Sequence, residues 1–508
     1  MAEKSKGIVR TTAVITVMTL LFKLLGFVKQ AVVAYYFGTT LETDIYYVAF
    51  NFVGMLSSAF IRAITISMVS IYTHCLVQKG RDAASRVLSA CLEILVPIVL
   101  VVMLLAYMLT PQIAHILAPT YSANETALLQ SYLKIVYPFF LFAVVTLVWN
   151  TLMDVNKDFV VSRTESGITS ITTIGCCVFL YNIQAVTSLV IAQYMSYIIF
   201  GSLLLIRGRR YFTFTFTRLK NVPEIKVIIM TAIPLFIGNS VSQINKMVDN
   251  SLSTGLGYGN ASALSYAVVL EDFVSNILIN NIVDVLYVNF STYTAEGDYD
   301  KLGSTMKSAI NAMICIMVPI TIIACMCSRE IVSIAYYRGS FTWDSVKMTS
   351  AALIGYCAGF TAMGVRDIVL RGLYSFKDTK AAMFTGMIAV AVNITLSILL
   401  SKNHGIIGIS LASSVSQVVN FAINSRVLKK YMPDYHFSDH LPILGKQIPG
   451  AAVVVVIVLL FKHFFSSNII IFGGSAVLGL GLYMIILMAM KVPEVDLVMA
   501  KVRGKLGR

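Results

Sequence analysis

Residues 88–110 read LSACLEILVPIVLVVMLLAYMLT, an almost unbroken apolar stretch whose single charge is Glu93. A helix of this length covers the roughly 30 Å of hydrocarbon in a bilayer. Because no water is available there to satisfy backbone groups, a spanning segment of this kind must be helical. The alternative, a membrane β-barrel, needs alternating strands of about 10 residues, and this stretch does not alternate. The stretch is therefore predicted to be a transmembrane helix.

Similar apolar runs recur along the whole chain of 508 residues, of which 57% are hydrophobic and only 13% charged. Soluble domains carry about twice this charged fraction. We predict an all-α polytopic membrane protein with about fourteen transmembrane helices, whose eight cysteines are small core residues. The predicted spans are 12–37, 46–74, 88–110, 130–152, 160–181, 185–206, 226–251, 263–290, 306–327, 349–370, 381–401, 405–425, 447–463 and 469–490.

The positions of the basic residues support this number of spans. With the N-terminus placed in the cytoplasm, 28 of the 39 Lys and Arg residues fall in inside segments or at the adjoining span ends, and five fall in outside segments or at the span ends beside them. Such a bias sets the orientation of membrane proteins. It predicts that both termini are cytoplasmic, and it accounts for the net charge of +14 without a nucleic-acid partner.

A weak internal repeat divides the chain. GRDAASRVLSACLEILVPI at 80–98 resembles GDYDKLGSTMKSAINAMICIMVPI at 297–320, and the shift of about 220 residues corresponds to six predicted spans. Because six is even, the two halves share one orientation and form a parallel repeat. The repeat predicts an N-terminal lobe at 1–206, a basic cytoplasmic linker at 207–226, a C-terminal lobe at 227–430, and two additional helices with a basic cytoplasmic tail at 431–508.

Two packed lobes around a cleft are the usual plan of transporters that work by alternating access. The alternative is a duplicated scaffold or receptor that transports nothing. The sequence contains no Walker A motif, and its histidines lack metal-ligand spacing. We therefore expect a transporter rather than an enzyme, with no cofactor other than a coupling ion.

The basic linker also contains the run FTFTFT at 212–217. Its alternation is typical of a β-strand, but it lies between two predicted spans. We interpret it as a segment that lies at the membrane interface.

Six cations lie within the predicted spans and at least four residues from either end: Lys23, Lys29, Arg62, Lys134, Lys246 and Arg366. Each would cost about 2.5–3.5 kcal/mol at the bilayer centre, so they must pair, line a wet cavity or extend to an interface. Lys23 and Lys29 flank Gly26, where the helix is expected to be weakened or bent. We interpret Lys23, Lys29 and Arg62 as the wall of a cationic cleft, with Asp44 at its outer mouth. The alternative is that the two lysines snorkel to an interface.

The second half carries charges of both signs within its predicted spans: Lys246, Asp249, Glu271, Asp272, Asp284, Arg366 and Asp367. One interpretation is internal ion pairing, as for Lys246 and Asp249, which lie three residues apart on one helical face. The other is that the Asp249 carboxylate, with Asn393 and Ser413, holds a hard cation such as Na⁺. Both interpretations stay open at this stage.

Several blocks of the sequence resemble a known family. FKLLGFVKQAVVAYYFGTTLETDIYYVAF at 22–50 resembles the opening signature of the MurJ (MviN) lipid II flippases, which share a superfamily with MATE exporters and Wzx flippases. SALSYAVVLEDF at 262–273, GSFTWDSVKMTSAALIGYCAGF at 339–360 and RGLYSFKDTKAA at 371–382 resemble the same family. The resemblance covers most of the chain, including the two additional helices.

The resemblance implies a V-shaped pair of six-helix lobes around a cationic cavity that binds a diphosphate-linked lipid sugar. The family's first-helix cations match Lys23 and Lys29, and its acid after the first helix matches Asp44. Its sodium-site acid matches Asp249, with Asn393 and Ser413 as partners. We accordingly expect a flippase that moves the undecaprenyl-diphosphate-linked peptidoglycan precursor across the bacterial plasma membrane. Its expected partners are this precursor, membrane lipids and cell-wall synthases.

The sequence also departs from the family pattern. A second-span arginine of the family aligns with Ser58, and Arg62 lies one turn later on the same helical face. The family's span-eight arginine aligns near Val269, with no basic residue beside it. Two alternatives therefore remain: a Wzx-like flippase for another lipid-linked oligosaccharide, and a MATE-like cation-coupled drug exporter, which predicts an acid-lined cavity.

Overall fold

A computed structural model describes residues 2–156, 158–217 and 222–494. It excludes the side chains of residues 2–17 and those at positions 20, 62, 66, 70, 159, 234, 235, 237 and 238. The predicted basic tail beyond residue 494 and part of the predicted linker lie outside the described residues.

The described part of the chain forms α-helices and no β-strand. The helices are α1 Ala2–Phe37, α2 Leu41–Lys79, α3 Arg81–Met108, α4 Thr110–Leu117, α5 Ala123–Val136, α6 Pro138–Val155, α7 Phe159–Ser162, α8 Glu165–Gln184, α9 Thr187–Gly208, α10 Glu224–Thr254, α11 Asn260–Val274, α12 Asn281–Glu296, α13 Tyr299–Met326, α14 Ser328–Tyr336, α15 Trp343–Cys357, α16 Phe360–Ser375, α17 Thr379–His404, α18 Ile406–Leu428, α19 Leu441–Phe464 and α20 Asn468–Ala489. A π-helical segment, Ser275–Asn280, joins α11 to α12, and a 3-10 turn, Phe437–His440, precedes α19.

Eleven helices of the described chain are long and apolar enough to cross a membrane, or twelve if the bent pair α15–α16 is one span. The all-α membrane class is thus confirmed, whereas the predicted count of fourteen is not fully confirmed. The other two predicted spans, 12–37 and 226–251, correspond to α1 and α10. Both are long helices that carry charged side chains within their length, among them Lys29 in α1 and Asp249 in α10.

The order of the helices repeats in the way that the sequence predicts. α3 and α13 each have 28 residues and contain one proline, Pro97 or Pro319. Each is followed, after a single residue, by a short helix, α4 or α14. The next helix in each half begins at a capping box, formed by Ser122 before α5 and by Thr342 before α15. These matched breaks and caps are what a duplicated six-span unit would produce.

The chain divides into two compact units. The first contains residues 1–262 and 338–341, and the second contains residues 263–337 and 342–508. These units differ from the predicted lobes because α10 packs along α2: the rings of Phe60 and Phe236 lie 4.7 Å apart, and Lys79 pairs with Glu224 at 2.6 Å. The lobe boundaries, which follow the repeat and not compactness, stay a prediction.

Within the second unit, the two C-terminal helices are fixed to α13 by a buried polar chain. The Tyr483 hydroxyl donates to Gln447, and Gln447 Nε2 donates to Cys315 Sγ at 3.3 Å. All three side chains are buried. A hydrogen bond between apolar helices is favoured in a bilayer because hydrocarbon offers no competing partner. The predicted additional helices are therefore an integral part of the second unit.

Candidate functional site

The two lysines of α1 lie where this helix packs against α8. Gly167 of α8 approaches the ring of Phe22 so closely that a Cβ there would lie 2.5 Å from it. Lys23 is exposed, whereas Lys29 is half-buried beside Cys177, its electrostatic neighbour on α8. Within the described residues, no carboxylate lies at ion-pair distance from either ammonium group. Neither ammonium group is therefore neutralised by a carboxylate of the described residues.

Gly26, where the helix is predicted to be weakened or bent, lies inside α1 and does not interrupt it. α1 is one continuous helix from Ala2 to Phe37. Six residues separate Lys23 from Lys29, which places the two side chains about 120° apart around the axis and about 9 Å apart along it. The backbone therefore places the two lysines on different faces of α1, and a ligand that contacts both amines depends on the reach of their long side chains.

The predicted third cation, Arg62, lies within α2, and its side chain lies outside the described residues. Its sequence neighbour Ile61 lines a cavity of about 300 Å³ in the first unit. Ser58, the position where the family has an arginine, lines the same cavity. Neither Lys23 nor Lys29 is among the residues that form its wall.

This cavity contains an acidic residue that sequence analysis missed, Glu165 at the beginning of α8. Asn150 also lines the cavity, and its Oδ1 has no hydrogen-bond partner among the described residues. The serine hydroxyls of Ser57 and Ser58 instead donate to carbonyls of their own helix. Glu165 lies only a few residues inside predicted span five, a position in which the sequence carries no signal that separates a cavity residue from one in water.

Asp44 is fully buried in the first turn of α2. Its carboxylate accepts a hydrogen bond from Gly259 N at 2.5 Å and another from Ser262 N at 2.7 Å. These amides lie at the N-terminus of α11, where helices leave donors unsatisfied and favour a negative charge. Asp44 therefore forms a fixed contact between α2 and the first turn of α11, and its place at the outer mouth of a cleft stays a prediction.

A second close contact in the first unit joins two glycines with left-handed backbones. Gly38 follows α1 with a φ of 55°, and Gly339 has a φ of 59°. Ser340 N donates to Tyr35 O at 2.7 Å. A Cβ at Gly38 would overlap Ser340 O, and a Cβ at Gly339 would overlap Tyr35 O. Only glycine permits both the backbone angle and this approach of two chain segments.

We expect Gly38→Ala to lower the free energy of unfolding by about 2–4 kcal/mol, from the left-handed angle and the overlap together. Gly297→Ala is the matched control, because Gly297 has a φ of 74° but no atom within 4 Å of the added Cβ. The control should lose only about 1–2 kcal/mol, which is the cost of the left-handed backbone angle for a residue with a Cβ. Denaturant titration in detergent measures both variants, and equal losses would contradict the close contact.

In the first unit, Asp249 of α10 is buried and accepts a hydrogen bond from Asn245 Nδ2 at 3.5 Å. The other two residues of the predicted cation site, Asn393 and Ser413, belong to α17 and α18 of the second unit. Carboxylate, amide and hydroxyl oxygens are the donor types that a hard cation takes. The residue types thus fit Na⁺, and the site stays a prediction.

Asn393 and Ser413 have a structural role that sequence analysis did not predict. Asn393 is 3% exposed and donates to Ser413 Oγ at 3.0 Å and to Ser416 Oγ at 3.4 Å. Its own Oδ1 accepts from Ser397 Oγ at 3.1 Å. This network uses both amide donors and an acceptor of Asn393, so it holds α17 to α18 with every buried group satisfied.

Internal ion pairing, one of the two interpretations of the second half, is present for Arg366 and for Asp284, while the pair of Lys246 with Asp249 stays a prediction. Arg366 pairs with Asp367 and also donates to Gln417. Arg371 pairs with Asp284 at 2.9 Å. These groups therefore balance one another within the second unit.

Comparison with known proteins agrees with the resemblance noted in the sequence. The family model described as "Lipid II flippase MurJ" matches residues 33–475. A relative from Vibrio cholerae serotype O1, named "Probable lipid II flippase MurJ", is 25% identical over 446 residues, which are 84% of this chain and 83% of the relative. A relative of the same name from Thermotoga maritima is 23% identical over 415 residues, 81% of this chain and 84% of the relative.

The fold is similar to solved transporter structures. A structure titled "Lipid II flippase MurJ, inward closed conformation" has a TM-score of 0.80 and 22% identity, and the match covers 93% of this chain and 98% of that one. An inward-facing multidrug resistance MATE family transporter has a TM-score of 0.69 and 11% identity over 82% of this chain and 98% of its own. At these identities the likeness shows the fold alone. Because the family model covers most of its length, the chain belongs to the lipid II flippase MurJ family.

Proposed function

We propose that this multi-pass membrane protein is a flippase that carries lipid II, the undecaprenyl-diphosphate-linked peptidoglycan precursor, from the inner to the outer leaflet of the bacterial plasma membrane. The observation that carries the proposal is the pair Lys23 and Lys29, two cations of a membrane helix without a carboxylate partner among the described residues. A diphosphate supplies the opposite charge that such groups require. Transport, and not catalysis, is the proposed activity.

In this mechanism the diphosphate binds to Lys23, Lys29 and Arg62 while the polyprenyl tail stays in the lipid. A lysine binds phosphate as a mobile point charge, whereas an arginine would fix it with two parallel hydrogen bonds. This suits a carrier that must release its ligand. An inside-negative potential favours outward movement of the anion by about 2.3 kcal/mol per charge per 100 mV.

We call the contact of Asp44 with Gly259 N and Ser262 N the outer latch, because we propose that it holds the outer side closed. Its buried hydrogen bonds to Gly259 N and Ser262 N hold the first turn of α2 against the N-terminus of α11. In the orientation that the basic residues predict, with both termini cytoplasmic, this contact lies on the outer side. Alternating access then requires the latch to open when the headgroup leaves. Na⁺ bound at Asp249 would supply a charge that helps to reset the cycle, and cell-wall synthases would consume the exported lipid.

Growth of a strain depleted of its own lipid II flippase tests the cationic role. Each lysine should contribute about 1.5–3 kcal/mol of binding, so the double variant Lys23→Ala with Lys29→Ala should lose 100-fold or more of its transport rate and fail to rescue growth. Lys134→Ala is the matched control, because Lys134 is an exposed lysine of a predicted span. Full rescue by a double variant that still inserts into the membrane would refute this role.

A second candidate is a cation-coupled drug exporter of the MATE type. The observation that favours it is Glu165, the acidic side chain that lines the 300 Å³ cavity of the first unit. An acid-lined cavity attracts cationic drugs, whereas a diphosphate would be repelled. Drug resistance conferred on a sensitive strain, and lost in Glu165→Gln, would support this candidate. Growth rescue without drug resistance would exclude it.

A further inference from the structure

Residues 211–217 of the linker, which we call the linker strap, lie along α3 and are hydrogen-bonded to it. The strap follows the turn after α9, and residues 212–217 form neither helix nor turn. Three side chains of α3 hold it: Arg81 Nε donates to Tyr211 O at 3.2 Å, Ser89 Oγ accepts from Thr215 N at 3.1 Å, and Glu93 Oε1 accepts from Thr217 N at 2.8 Å. The Thr217 hydroxyl also donates to Glu93 Oε2 at 3.2 Å.

The spacing of these contacts shows that the strap runs parallel to α3. On the helix, the anchors Arg81, Ser89 and Glu93 are separated by rises of about 12 and 6 Å. On the extended strap, four and then two residues separate the bonded groups, or about 13 and 7 Å. The two series of spacings match. The strap therefore follows α3 for about 18 Å, from the first residue of α3 toward the middle of that helix. Since α3 is a candidate membrane span, this direction leads into the bilayer.

The phenylalanines of the strap differ in their surroundings. Phe212 is buried against Trp149, with the ring centroids 5.1 Å apart. Phe214 is 45% exposed, and Phe216 is 91% exposed, the largest value among the large apolar side chains described. The rings of Phe214 and Phe216 contact each other edge to face at 5.1 Å. The strap thus presents two adjacent aromatic rings, of which the described protein covers about half of Phe214 and almost nothing of Phe216.

The residues before the strap indicate what covers these rings. α9, a candidate span, ends at Gly208, and the arginines Arg207, Arg209 and Arg210 beside its end are exposed. Aromatic side chains concentrate at membrane interfaces, and basic clusters next to a span attract anionic lipid headgroups. We propose that the linker strap is a membrane anchor that inserts Phe214 and Phe216 into the bilayer interface, with these arginines on anionic phospholipids. The proposal does not depend on which lipid the protein transports.

Tryptophan fluorescence tests this anchor. The variant Phe216→Trp is placed in nanodiscs of phosphatidylcholine and phosphatidylglycerol, and the spectrum of the parent protein, with its own Trp149 and Trp343, is subtracted. Thr213→Trp is the matched control, because Thr213 is an exposed residue on the opposite face of the strap. We expect Phe216→Trp to emit at shorter wavelength than the control, to be quenched by lipids with brominated acyl chains, and to resist aqueous iodide.

Two outcomes would overturn the proposal. Iodide quenching of Phe216→Trp as strong as that of Thr213→Trp, with no effect of bromine, would place the ring in water. Resistance to both quenchers would place it under protein. Adding the substitution Glu93→Ala removes the two hydrogen bonds that Thr217 donates to α3. It should therefore increase quenching by iodide and decrease quenching by bromine at position 216. Unchanged quenching would refute the role of α3 in holding the strap.

Discussion

Replacing Asp44 with alanine is expected to lower the free energy of unfolding by about 2–5 kcal/mol. The carboxylate is fully buried and accepts hydrogen bonds from two backbone amides, Gly259 N and Ser262 N. Alanine would leave both donors without a partner, and a buried unsatisfied donor costs about 1–3 kcal/mol. Bonds to a charged acceptor lie at the strong end of this range. Denaturant titration of the purified protein in detergent measures the loss.

The control for this prediction is Glu42→Ala. Glu42 is an exposed acid of the same helical turn, so both variants remove one negative charge from the start of α2. The control should lose no more than about 1 kcal/mol, which is the range of the helix-dipole term. Asp44→Asn keeps the size of the side chain but turns an amide donor or a weaker acceptor toward the two backbone amides. Its loss in free energy of unfolding should therefore lie between those of Asp44→Ala and Glu42→Ala. Equal losses for Asp44→Ala and Glu42→Ala would show that the latch contributes nothing.

The second large effect is expected at the ion pair between Lys462 of α19 and Glu330 of α14. The two groups lie 2.9 Å apart, and Glu330 is 8% exposed. Lys462 itself is exposed, but its removal leaves the buried Glu330 carboxylate without its counter-charge, which costs about 3–5 kcal/mol for a fully buried pair and less for this partly exposed one. Lys462→Met should therefore destabilise the protein strongly although methionine is fully apolar. The double variant Lys462→Met with Glu330→Leu should recover most of the loss, because no buried charge remains.

An exposed ion pair of similar length provides the comparison. Lys347 and Asp344 lie 3.0 Å apart, and both side chains are mostly exposed. Water and salt weaken such a pair to about 0.2–1 kcal/mol. Lys347→Ala should thus shift the unfolding transition far less than Lys462→Met. A similar shift for both variants would mean that burial of Glu330 does not decide the energy of its pair.

The sequence predicts the membrane helices well because each helix depends on a local, nearly continuous apolar run. The repeat can be read from the sequence because each of its two copies is a continuous stretch. It appears in the structure as the matched helices α3 and α13. The compact units could not be predicted, because they depend on which helices pack together. α10 was assigned to the second lobe by its position in the repeat, yet its contacts with α2 place it in the first unit.

The candidate site was predicted in its residue types but not in its contacts. Asp44 is bonded to amides 215 and 218 positions later in the chain, and no spacing rule connects such residues. Gly26 suggested a weakened or bent helix that would bring Lys23 and Lys29 together, but a single glycine weakens a helix by only about 1 kcal/mol, and α1 is continuous through this position. Glu165 was missed because an acid near the end of an apolar run is indistinguishable by sequence from one in water.

Translocation of fluorescent lipid II by the purified protein in proteoliposomes tests the central claim most directly. The measured quantity is the rate at which the labelled headgroup becomes accessible to a quencher on the opposite side. We expect the parent protein to exceed protein-free vesicles and the double variant Lys23→Ala with Lys29→Ala to fall to the protein-free rate, while Lys134→Ala keeps the parent rate. A double variant that is folded and translocates lipid II at the parent rate would contradict the claim that these two lysines bind the diphosphate.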